Sequence, residues 1–126
     1  ADIAQVEAIG AVEVILQVAL GDFSFVPLVM GDQNAATCRK LAEAIVQAGK
    51  NRRLLIVASS DLSHFHEDKE ARALDGVALT HMRDSDAEGL VENLARERTE
   101  ACGGGPMAVA MLDARELGAS PWLVLK

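Results

Sequence analysis

The sequence predicts an α/β protein, a partial parallel-rich sheet flanked by helices, and three observations carry that prediction. Short apolar runs, Phe23 to Met30, Arg53 to Ala58 and Trp122 to Leu125, alternate with stretches whose apolar residues recur at helical spacing. The middle run, Leu54-Leu55-Ile56-Val57, is continuous, as a parallel strand covered on both faces reads. It spills at its carboxyl end into Ala58-Ser59-Ser60-Asp61-Leu62-Ser63-His64-Phe65, and open α/β sheets build their sites at such ends.

The elements follow in order. Ile3, Val6, Ile9, Val12, Ile15, Leu16 and Ala19 space a helix over 3–20, which Gly10 weakens by about 1 kcal/mol relative to Ala. Gly21-Asp22 stops it. The run Phe23 to Met30 holds Pro27, which lacks a ladder donor and makes this an edge or irregular strand. Asn34 caps a helix to about Ala48, ended by Gly49, with Cys38, Leu41, Ile45 and Ala48 as its inward stripe. After the second strand a helix from about Glu67 to Arg83 turns Ala71, Leu74, Ala78 and His81 or Met82 to one side. Ser85-x-x-Glu88 reads as a capping box for a further helix through Leu90, Val91 and Leu94.

Pro106 fits the first turn of a last helix, with Met107, Ala110, Met111, Ala114 and Leu117 inward and Gly118 at its end. Pro121 precedes the final strand. Three parallel strands alone leave two bare edges and a thin core. Residues 1–126 are therefore expected to form one partial domain, marginal or oligomeric by itself.

Composition narrows the function. Half the residues are hydrophobic, a quarter are charged, and the net charge is −7, with the basic residues scattered. That distribution gives no footprint for nucleic acid or an anionic membrane. No apolar run approaches the ~18 residues of a membrane span, and the start has neither a basic nor an apolar leader region. Cys38 and Cys102 lie far apart and form no CxxC motif, so a reducing, cytoplasmic setting is expected.

Two segments carry the candidate chemistry. In the first, His64 follows the central strand, and Asp61 lies three residues before it, within reach to orient the imidazole. The alternative is that Asp61 and Ser63 are turn caps and His64 is merely exposed. His66, beside Glu67 and Asp68, reads as surface. In the second, Ala101-Cys102-Gly103-Gly104-Gly105-Pro106-Met107 sets a thiol before a glycine-rich helix start. Successive backbone N–H groups there can form an anion-accepting nest. A thiolate in such a place is a soft metal ligand or a nucleophile, and a small buried hydrophobe is the alternative. Cys38, on an inward stripe, reads as core. Asp75 shares a face with Ala71, Leu74 and Ala78, which asks for a partner such as the Ser-Asp-His turn, the alternative being a place at the wet margin of the stripe. His81 reads as a satisfied boundary histidine. The segments Arg83 to Asp86 and Glu97 to Glu100 read as solvated connections. His64 and Cys102 are expected to share one cleft, within about 10 Å, the span of a small pocket.

The pair Ser59-Ser60-Asp61-Leu62-Ser63-His64 and Ala101-Cys102-Gly103 leading to Pro106 resembles the Memo family, whose bacterial members are called AmmeMemoRadiSam system protein B. Glu13-Val14, Val26-Pro27-Leu28-Val29-Met30-Gly31, Asp75 and Ala114-Arg115-Glu116-Leu117-Gly118 extend the resemblance along the chain, which is similar to the family's C-terminal part. The resemblance implies a fold like class III extradiol dioxygenases, a sheet sandwiched by helices around a pocket for a non-haem metal such as iron, copper or zinc. It implies an acid/base role for His64 with Asp61 beside it, metal ligation by Cys102 and His64, and a metal-dependent oxidoreductase in the full-length form. A family histidine before Glu13 falls at Gly10, so the donor set is expected to be incomplete and metal binding weak. The resemblance also implies, as partners, radical-SAM and AMMECR1-like proteins of the same gene neighbourhood. A non-catalytic peptide- or partner-binding module is the alternative, and a Cys-His thiol hydrolase a third reading.

Overall fold

The computed structural model describes residues 3–119 and 122–125, with the helical backbone alone for 3–11. Two compact units divide the chain, Ala1–Gly31 and Asp32–Lys126. The first carries α1 (Ile3–Leu20). The second carries α2 (Ala35–Gly49), α3 (Asp68–Arg83), α4 (Ala87–Ala95) and α5 (Gly104–Glu116).

No strand and no sheet form among the described residues, which overturns the α/β class that the apolar runs and the resemblance imply. A strand exists only by pairing. In the second unit no ladder hydrogen bond joins residues 53–58 to 122–125, and in the first none is made by residues 23–30 within the unit. Most of their apolar side chains stand in solvent instead, Val26 being 80% exposed, Leu55 67% and Leu123 79%, while Ile56 and Trp122 are half-covered. An apolar run reports that burial suits it, not that a neighbouring strand is there to supply it. Pro121 lies outside the described residues.

In the first unit, α1 runs the length its spacing predicts and passes through Gly10. Gly21, with φ +70, ends it, a left-handed conformation that glycine adopts without penalty. Ile15 and Val18 of this helix stand exposed.

The second unit is organised around α5, which packs on α2 and α4, while α4 also packs on α3. Every residue from Gly104 to Asp113 except Pro106 is buried, so α5 is covered nearly all round rather than along one stripe. Ala114 is half-buried, and Leu117 is exposed, against the inward position predicted for it. Small residues let the axes approach: Cys38 and Ala42 on α2, Ala87 on α4, Ala108 on α5. The buried face of α2 is therefore set by Cys38 and Ala42, with Leu41 and Ile45 half-covered and Ala48 exposed. Leu90 and Met111 are the largest fully buried apolar side chains. Thr99, 1% exposed, donates to the Leu74 carbonyl at 2.7 Å and fastens the segment after α4 to α3.

The caps explain where the helices begin. Asn34 accepts from the Thr37 N–H at 2.9 Å and is itself braced by Asp32, as the sequence signals, a bond worth about 1 kcal/mol. For α4 the predicted capping box is not formed. Ser85 has φ +55, and Asp86 is the cap, accepting from the Gly89 N–H at 2.9 Å. Gly118, with φ +68, ends α5 as predicted.

Candidate functional site

The segment 60–66 and the segment 100–103 run side by side in opposite directions, and a set of hydrogen bonds stitches them. The Ser60 hydroxyl accepts from the Gly103 N–H at 2.9 Å and donates to the Asp61 carbonyl at 2.7 Å. The Cys102 N–H donates to the Asp61 carbonyl at 3.2 Å, and the Asp61 N–H donates to Cys102 Sγ, also at 3.2 Å. Asp61 thus holds the thiol through its backbone. Through its side chain it faces the imidazole, with His64 Nε2 3.4 Å from Asp61 Oδ2. Cys102 and His64 are exposed, as is the Asp61 carboxylate. The three residues singled out from the sequence therefore stand around one backbone unit.

The glycine nest expected before α5 has no donor to spare. The Gly103 N–H goes to Ser60, the Gly104 N–H to the Ala101 carbonyl, and the Gly105 N–H to Gln33 Oε1 at 2.7 Å, while Pro106 has none. No oxyanion-type arrangement is left there for a thiol hydrolase. The glycines serve close packing instead. A Cβ on Gly103 would strike the Ser59 carbonyl oxygen, one on Gly104 would strike Leu94, and one on Gly105 would lie 2.8 Å from Gln33 Cβ.

Gln33, which sequence reasoning missed, clasps this turn from the start of α2. Its amide donates to the Cys102 carbonyl at 3.1 Å and accepts from Gly105. Glu100, read from the sequence as part of a solvated connection, is a second omission. Its Oε1 lies 2.8 Å from His66 Nε2, and its Oε2 accepts from the His64 N–H at 3.4 Å. This bond raises the His66 pKa above its ordinary value, Glu70 adding to the effect, and lowers that of Glu100. His66 is accordingly no free surface residue. Asp75 has the partner its position asked for, accepting from the Ser63 N–H at 3.0 Å. His81 is satisfied as expected, with Nδ1 2.8 Å from Asp86 and Nε2 2.7 Å from the Asn93 amide.

Two further features stand apart from these residues in the contacts they make. A cavity of about 260 Å³ is lined by Ile56, Met82, Met107, Met111 and Trp122 among others, and by none of Asp61, His64 and Cys102. Asp113 on α5 is fully buried, both carboxylate oxygens lack a hydrogen bond among the described residues, and burial pushes its pKa up to about 6. No group of three or more His, Cys, Asp or Glu among the described residues could hold a metal ion. No described helix is long and apolar enough to cross a membrane.

Comparison with known proteins bears on this arrangement. The family model described as "Memo-like protein" matches residues 11–126. A MEMO1 family protein of Methanobrevibacter smithii is 34% identical over 105 residues, covering 82% of this chain and 37% of the relative. One from Archaeoglobus fulgidus is 34% identical over 111 residues (86% and 42%), and one from Thermotoga neapolitana 35% over 112 (88% and 39%). The chain spans about two-fifths of the length of these curated relatives. No solved structure matches it. With the family model covering all but the first ten residues, and the Ser-Asp-x-x-His and Cys-Gly segments meeting in space, the chain belongs to the Memo-like family.

Proposed function

We propose that Cys102, His64 and Asp61 form a thiol–imidazole–carboxylate site that serves metal-binding or redox chemistry in a full-length Memo-type protein. The observation that carries this reading is the double role of Asp61, whose N–H meets Cys102 Sγ while its carboxylate meets His64 Nε2. In this reading Asp61 orients the ring and supports its basicity, His64 moves protons as acid or base, and Cys102 is the soft donor or the oxidisable group.

The residues present do not make a complete metal site. A tight first-row site takes three or four protein ligands, and here Cys102 and His64 are the donors, the His64 nitrogen facing Asp61. The remaining donors are proposed to come from outside the described residues, and the setting to be cytoplasmic. No catalytic step is assigned to a metal.

The test is titration of the chain with Zn(II) and, anaerobically, Cu(I), beside Cys102→Ser and His64→Ala. Weak binding that Cys102→Ser removes and His64→Ala reduces is the expected result. Stoichiometric tight binding unchanged by Cys102→Ser overturns the ligand assignment.

A second reading, a peptide- or partner-binding module, is favoured by the methionine-lined cavity. Thioether side chains adapt to varied apolar ligands, and this cavity lies apart from the thiol. Binding of the family's proposed radical-SAM or AMMECR1-like partners that Met82→Asp, at a half-buried wall of the cavity, abolishes and Cys102→Ser leaves intact would favour this second reading over the first.

A further inference from the structure

Between His64 and His66 the backbone does something costly. Phe65 has φ +62, the left-handed region that a side chain with a Cβ rarely enters, and its own side chain is fully exposed. The phenyl ring lies beside the His64 ring, centroids 5.9 Å apart, and is otherwise in solvent, so no other described segment packs on it to hold this conformation. The residue on each side is fastened to one carboxylate: Glu100 Oε2 accepts from the His64 N–H at 3.4 Å, and Glu100 Oε1 meets His66 Nε2 at 2.8 Å. The two bonds bracket Phe65. They also originate two residues before Cys102, on the segment whose N–H and Sγ pair with Asp61.

We propose that Glu100 is a positioning residue, which holds the left-handed Phe65 turn and so aims His64 at Asp61 beside the thiol. The inference rests on the reading of His64 as the imidazole of the site. The physical argument is that strained backbone persists only where its surroundings over-determine it. Without the carboxylate, Phe65 relaxes to negative φ, and a rotation there re-aims the His64 ring that precedes it. The stitches at Ser60, Asp61 and Cys102 lie on the other side of His64 and do not restrain Phe65. Beyond it the only other tie of the His66 ring among the described residues is to Glu70, 3.4 Å from Nδ1, which does not reach back to His64.

The test is NMR of the full 126-residue chain with Glu100→Ala, Glu100→Gln and His66→Ala. Two readouts report on the turn: the strong intraresidue amide–Hα NOE of a left-handed Phe65, and the His64 ring 15N shifts, which register its contact with Asp61. The His81 ring shifts are the internal control, because His81 bonds Asp86 and Asn93 and not Glu100. Glu100→Ala is expected to abolish the Phe65 signature and move the His64 ring shifts towards those of Asp61→Asn, with His81 unchanged. Glu100→Gln is expected to restore both, since the amide oxygen can accept from His64 while the amide NH2 donates to a neutral His66. Should Glu100→Ala fail to fold, His66→Ala, which removes the shorter bond together with the contact to Glu70, is expected to weaken the Phe65 signature, while Glu70→Ala, which removes only that contact, is expected to leave it. An unchanged Phe65 NOE and His64 shift in Glu100→Ala or His66→Ala overturns the proposal, as does Glu100→Gln behaving like Glu100→Ala. These signals are read without metal, so they are independent of the titration that decides whether Cys102 and His64 are ligands.

Discussion

The Cys38 thiol points at the carbonyl oxygen of Gly105, 3.8 Å away, and also lies 3.6 Å from that of Gln33. Its pKa is raised first by burial and then by the negative charge of Asp32. Cys102, three residues before Gly105, is exposed.

The two thiols are therefore expected to react in two separate phases. One equivalent per chain should react quickly with iodoacetamide under native conditions, and Cys102→Ser should remove that phase entirely. Cys38 should react at least about a hundredfold more slowly, from opened molecules only. Mass mapping of the alkylated peptides checks both statements. Labelling of Cys38 at the rate of Cys102 would contradict the described packing of α2 on α5.

Gly103 and Gly76 should respond in opposite senses to alanine. A Cβ at Gly103 meets the Ser59 carbonyl, a backbone atom that cannot step aside alone, so Gly103→Ala should cost about 1–3 kcal/mol. It should also speed alkylation of Cys102 by parting the 60–61 and 102–103 segments. Gly76, within α3, has open space where its Cβ would be, and Gly76→Ala should stabilise by up to about 1 kcal/mol. Urea unfolding of the pair measures the difference.

For α4 the discriminating pair is Asp86 and Ser85. Asp86→Ala removes the cap bond to Gly89 and leaves His81 Nδ1 without its acceptor, a loss of about 1–2 kcal/mol. Ser85→Ala should change stability by less than about 0.5 kcal/mol, since its side chain makes no cap. The Asp86 pKa is lowered, first by the Gly89 N–H and then by His81. Its contribution is therefore present above the ordinary carboxylate pKa and is lost as the pH falls through the lowered value. Urea midpoints for both variants at pH 7 and pH 3 test the assignment.

Asp113 should make the fold less stable as the pH rises. Its pKa is 3.8 as a free side chain and about 6 in the folded chain, so the folded state keeps the proton longer than the unfolded state. Stability is then full below about pH 4, declines between about 4 and 6, and is level above, by at most about 3 kcal/mol. Asp113→Asn should flatten that decline. Equal pH dependence in the two proteins would mean that the carboxyl has a partner in solution.

What was legible in the sequence was the local part. The span of α1, the Asn34 cap, the Gly118 stop and the need of Asp75 for a partner each follow from neighbours a few residues apart, where propensity and capping act. The runs at 54–57 and 122–125 misled because apolar composition is shared by strands and by any segment suited to burial. Which of these forms depends on a pairing that no local pattern encodes. Gln33 and Glu100 were invisible for a different reason. Gln33 acts on Gly105 from 72 positions away and Glu100 on His66 from 34, and an amide or carboxylate reaching across such a distance leaves no periodicity. Around the candidate site, the nearness of Asp61 to His64 was legible from their spacing, but not the clasps that hold Cys102 beside them. For α4 the sequence pointed to a cap at Ser85, and the structure places it one residue later, at Asp86.

The glycines at 103, 104 and 105 constrain the routes open to mutation unequally. At 104 the obstacle is the outer end of a leucine side chain, so an earlier shortening at 94 opens it to alanine, whereas at 105 the nearest atoms include the Cβ of residue 33, which every residue but glycine keeps. At 103 the nearest atom is the carbonyl oxygen of residue 59, which every amino acid carries. No prior substitution at 59 clears it. A drifting lineage could therefore exchange its second glycine by a two-step path whose order matters and its third only through a glycine at 33, while the first stays closed until the backbone path itself is redrawn.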